Sequence, residues 1–165
     1  MILGLSLTAY TYLHVFISLV AIAAGFIVIF AMIGGLKFRV VTKLFWVTTA
    51  LTSLTGFLFP FKGITPAIVL GILSLIVLAL TIVAQRRINQ SSSWRGTYVI
   101  ASAIALYFNF FVLVVQSFQK IPMLHVLAPT QSETPFKIAQ LITLLTFISL
   151  TTLAFRRFRI AELRI

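Results

Sequence analysis

The chain has 165 residues, 61% of them hydrophobic and 9% charged, with 13 Lys/Arg against 2 Asp/Glu and a mean hydropathy of +1.14. A soluble domain carries roughly a quarter of its residues charged, so a membrane protein is expected. The absence of cysteine excludes disulfides, iron–sulfur clusters, thiolate zinc sites and cysteine nucleophiles, and the net charge of +11 sits in short clusters flanking apolar runs, a topology signal and not a nucleic-acid interface.

A membrane helix needs about 20 apolar residues, and the charge-poor intervals supply five, at 10–34, 44–61, 64–85, 96–119 and 136–155. The expected fold is an all-α membrane protein, one bundle of five transmembrane helices over 1–165. No basic stretch precedes the first apolar run, which points to an uncleaved helix and not to a secretory signal. Its most informative residue is His14, with Tyr10 and Ser18 one turn to either side; it is either packed against a neighbouring helix or a ligand contact. Ala21 and Gly25 permit close helix approach further along. Gly34 and Gly35 then release the helix into a loop with Lys37 and Arg39.

The second helix carries Thr48, Thr52 and Thr55 at helical spacing, with Gly56 four after Thr52, a narrow face for a close neighbour. Pro60 closes it. Thr65 before Pro66 is an expected N-cap for the third helix, whose small residues are Ala67, Gly71 and Ser74. After the polar turn 90–93, the fourth helix repeats Ser102, Asn109 and Gln116 every seven residues, a stripe expected to face the bundle interior. The outer loop 120–134, broken by Pro122 and Pro129, holds a six-residue apolar piece with His125; too short to span, it is expected in the interface or over the bundle mouth as a lid. Thr134 and Pro135 open the last helix.

Ten basic residues fall on one side: Lys37, Arg39 and Lys43; Arg86, Arg87 and Arg95; Arg156, Arg157, Arg159 and Arg164. Three fall on the other: Lys62, Lys120 and Lys137. The positive-inside rule then places the N-terminus outside and the C-terminus inside.

With that orientation, His14, Ser18, Thr52, Thr55, Asn109, Gln116 and Gln140 lie on inward faces, several at the outer end, and Glu133 sits in the loop above; no comparable set is evident in the cytoplasmic half. They are the expected ligand-binding residues of an outward-facing cavity for a small amphiphile, a lipid or quinone, and the same stripes serve equally as helix packing. No catalytic or metal set stands out: there is no nucleophile elbow, no P-loop and no zinc spacing. Binding or transport is expected over catalysis, with no resident cofactor. One haem b held by His14 and His125, or a quinone, in an accessory redox subunit is the alternative; a structural subunit or oligomeric channel is the other. The expected partners are the bilayer, the amphiphile, and a second copy or a membrane-complex subunit.

The stretches Leu51-Thr52-Ser53-Leu54-Thr55-Gly56-Phe57-Leu58-Phe59-Pro60-Phe61, Thr65-Pro66-Ala67 and Leu127-Ala128-Pro129-Thr130-Gln131-Ser132-Glu133-Thr134-Pro135-Phe136 resemble a set of small bacterial integral membrane proteins of unassigned function. That resemblance implies a bacterial inner-membrane location and no particular activity. In size and helix count the chain is also similar to the translocator-protein family, which binds porphyrins and sterols, but with only Trp46 and Trp94 it lacks that family's tryptophan-rich character.

Overall fold

The computed structural model describes residues 2, 4–60, 63 and 65–161, with side chains described as far as 158. Phe61, Lys62, Glu162 and Arg164, and the side chain of Arg159, lie outside it. Six helices follow one another: α1 (Leu7–Ile33), α2 (Arg39–Gly56), α3 (Pro66–Arg86), α4 (Ser92–Lys120), α5 (Pro122–Leu127) and α6 (Thr134–Ala161). Among the described residues there is no strand, only an isolated bridge between Ile2 and Leu5.

Local chemistry explains the helix ends. The hydroxyls of Ser6, Thr65 and Ser91 accept from the backbone N–H three residues on and cap α1, α3 and α4, and Pro66 takes the first helical position of α3 as expected. α1 ends in a Schellman turn: Gly35 adopts φ 70°, Leu36 N–H donates to Ala31 O at 2.8 Å and Gly35 N–H to Met32 O at 3.1 Å. α2 starts without a side-chain cap, because Phe38 occupies the N-cap position, as Ile121 does for the short α5.

Four of the six helices are long and apolar enough to cross a membrane by length and composition: α1, α3, α4 and the Thr134–Phe158 stretch of α6. α2 is not among them. It begins five residues before the expected position, so that Arg39 and Lys43 fall within the helix, and it ends at Gly56, before the expected end at 61. Its 18 residues would still extend about 27 Å.

The five long helices close into a ring in which α1 packs on α2, α2 on α3, α3 on α4, α4 on α6 and α6 back on α1, while α1 and α4 also meet across the middle. The central joint is aromatic. Phe26 of α1, Tyr107 and Phe110 of α4 and Phe147 of α6 interlock at centroid distances of 5.5–5.8 Å. Small residues let the backbones approach, and Gly25 and Gly71 are the closest: a Cβ at Gly25 would lie 2.5 Å from Leu106 Cδ1 and 2.9 Å from Phe45 Cε2, and one at Gly71 2.5 Å from Phe57 Cε1. Outward faces are apolar, with Tyr12, Phe16, Ile76 and Ile142 exposed, as suits a lipid solvent. α5 packs on α4 and contributes no buried residue, so it does not plug the bundle.

Candidate functional site

At the α1 N-terminal end the expected residues do meet, but mostly each other. Tyr10, 1% exposed, donates its hydroxyl to Thr55 O at 2.7 Å, and His14 Nδ1 lies 2.8 Å from Thr55 Oγ1. Thr55 has one hydroxyl proton, and it is directed to Leu51 O at 2.6 Å; His14 is therefore the donor, in its Nδ1–H tautomer. Ser18 donates to His14 O, Thr52 to Thr48 O, and Phe59 sets its ring edge-on against both Tyr10 and His14. Thr55 O is one of the last carbonyls of α2, and the Tyr10 hydroxyl adds to the backbone bond that it already accepts from Leu58 N–H at 3.2 Å. The cluster fastens α1 to the end of α2. His14→Ala is expected to lower the thermal stability by about 0.6–1.7 kcal/mol, as interhelical hydrogen bonds do in bilayers, and to leave any retained amphiphile in place; thermal unfolding in mild detergent, with mass spectrometry of the extract, checks both.

The remaining expected residues separate. Asn109 is buried and donates to Thr49 Oγ1 and Ala105 O, both at 3.3 Å, tying α4 to α2. Ser102 is buried on the same stripe, but Gln116 is exposed. A strict seven-residue repeat drifts about 20° per repeat on a straight helix, so two repeats carry the stripe off the interior. Gln140 Nε2 donates to Phe111 O at 3.4 Å, and its Oε1 is buried without a partner. Glu133 serves the loop: it accepts from Thr130 N–H and Oγ1 and from Ser132 N–H, and the Thr130 hydroxyl holds its carboxyl below the usual range. Gln131, at φ 60°, donates to Val115 O and pins that loop to α4.

His125 is exposed on α5, which packs on α4, whereas His14 is engaged by Thr55 on α2. No cluster of three His, Asp or Glu occurs among the described residues.

A cavity of about 450 Å³ lies at the opposite end of the bundle, where the sequence suggested no site. Lys37, Arg39, Lys43 and Arg86 line it from the α1–α2 loop, the start of α2 and the end of α3. Val28, Met32 and Phe158 form an apolar wall, and Thr42, Trp46, Asn89 and Tyr98 add polar atoms. Trp46 Nε1 is buried and has no hydrogen-bond partner. Lys37 stacks its ammonium 5.5 Å over the Phe158 ring, and partial burial, with Arg95 and Arg39 nearby, holds it below the usual lysine value. Glu133, the one acidic residue among the described residues, is in the loop at the far end. Five chain segments meet here, so helical spacing within any one of them carries no trace of it; the visible signal, three cations at 37, 39 and 43, reads equally as a topology mark.

A search with the chain finds no matching family model, no matching curated protein and no matching solved structure.

Proposed function

We propose that this is a five-span protein of a bacterial inner membrane, N-terminus outside, C-terminus inside, that binds or passes a small amphiphilic molecule. The polar end of that molecule sits in the basic-end cavity, not in the outer half where the polar stripes are. The observation that carries this reading is the 450 Å³ cavity itself, with cations on its rim and Val28, Met32 and Phe158 on its wall. A pocket with an apolar body and convergent polar groups suits a ligand with one apolar and one polar end. At the outer end, by contrast, the hydroxyls of Tyr10, Ser18, Thr52 and Thr55 are spent on protein carbonyls.

Counting α2 as the fifth span rests on its place in the ring between α1 and α3, with Arg39 and Lys43 at one end, where long cationic chains extend to the interface. Orientation rests on the ten-to-three bias of basic residues, and the bacterial location on the sequence resemblance.

Because the chain has no cysteine, single cysteines report topology cleanly. On intact cells an impermeant maleimide should label Ser132→Cys and reach Asn89→Cys only after permeabilisation; the reverse pattern contradicts the orientation. Protein purified in mild detergent should release one enriched amphiphile class on organic extraction. An extract with the composition of the bulk membrane lipid contradicts the binding role.

A further inference from the structure

We infer that the basic-end cavity is a seat for a phosphate-type anion, the charged head of the amphiphile proposed above, on which reading this inference rests. Three independent features converge. Arg39, Lys43 and Arg86 approach from two helices, and guanidinium and ammonium groups are the side chains that bind phosphate oxygens. The start of α2, at Phe38 and Arg39, lines the cavity, and it is this helix that has no side-chain cap where α1, α3 and α4 have Ser6, Thr65 and Ser91. Its first-turn N–H groups carry the positive end of the helix dipole, and an anion there supplies the acceptor that the sequence omits.

The third feature is Trp46. Its ring lines the cavity, and its Nε1–H is buried behind that lining without an acceptor, a costly state; a small shift of the side chains around the ring would let an anion oxygen meet it. A neutral amphiphile would also leave the clustered cations facing one another; partial burial with Arg95 and Arg39 already disfavours the charge on Lys37. An anion relieves both.

The phosphate can come from an anionic phospholipid or from a soluble phosphate compound, and binding measurements separate the two. Purified full-length protein is titrated with phosphatidylglycerol, with phosphatidylcholine and with glycerol 3-phosphate, and bound species are counted by native mass spectrometry. The expected result is a preference for phosphatidylglycerol over phosphatidylcholine of about tenfold or more, weakened by salt. R39Q/K43Q and, separately, R86Q should each lose most of that preference at unchanged thermal stability; W46F, which keeps an aromatic ring and removes the N–H, should weaken binding by a smaller factor. Displacement of the bound lipid by glycerol 3-phosphate identifies the soluble source, and its failure to displace identifies the lipid headgroup. Equal affinity for the two lipids in the wild type, or wild-type preference retained in both R39Q/K43Q and R86Q, overturns the inference. Retention of a neutral amphiphile would overturn the anion seat and leave the amphiphile reading standing, whereas glycerol 3-phosphate binding with no lipid retained would do the opposite.

Discussion

Gly25→Val is expected to be among the most damaging single substitutions in the bundle, costing about 3 kcal/mol or more in thermal or denaturant unfolding in mild detergent. The first added carbon would lie 2.5 Å from Leu106 Cδ1 and 2.9 Å from Phe45 Cε2, and those neighbours are 0% and 1% exposed, with nowhere to move. Gly25→Ala meets the same contacts but gains about 1 kcal/mol of helix propensity, so its net cost should be smaller. Gly34→Ala is the control: the nearest atom to its Cβ is Ala31 O at 3.5 Å, φ is −78°, and the change should be neutral or slightly stabilising. Equal effects at positions 25 and 34 would mean that α1 does not approach α2 and α4 this closely.

Phe45→Ala should cost about 3–5 kcal/mol, from the opposite error of an unfilled space. α2 is the one long helix that is not apolar enough by composition to cross a membrane, with cations in its first turns and five threonines, and Phe45 is its largest fully buried side chain. Without it α2 keeps the Asn109–Thr49 and Tyr10–Thr55 bonds, which are individually small. The two substitutions also couple: Phe45→Ala vacates the volume that the side chain added by Gly25→Val would invade, so the double variant should be more stable than the sum of the single costs implies. A double-mutant cycle with additive costs would show that the two residues do not touch.

These effects bear on how much of the molecule could be read beforehand. The charge-poor intervals located the long helices, since hydrocarbon excludes charge, and Thr65 before Pro66 marked the start of α3, whereas α4 begins at Ser92, inside the expected polar turn and ahead of the expected start at 96, because Ser91 caps it. The same rule misplaced α2. Stopping at Lys43 ignores that cations at a helix end can remain helical while their heads extend toward water, as Arg39 and Lys43 do on the cavity rim. Polar spacing put His14 and Thr55 on facing helices, where they do meet, but spacing does not say that each hydroxyl would be satisfied by a carbonyl of its own turn. Gln116 was lost to helical drift. The cavity was illegible for a different reason: Val28, Trp46, Asn89, Tyr98 and Phe158 are far apart in the chain, and only the ring of helices brings them together.

The ligand is expected at the basic end of the bundle. Phe38, which lines the cavity, and Phe59, which packs on Tyr10 and His14 at the other end, are replaced in turn by the longer, photoreactive p-benzoylphenylalanine, with thermal unfolding of each variant as the check that the bundle is kept. Irradiated in native membranes and then weighed intact, the protein should carry a discrete amphiphile adduct from position 38 and only scattered bulk-lipid adducts from position 59. A discrete adduct from position 59 with none from position 38 would return the site to the outer end and contradict the account.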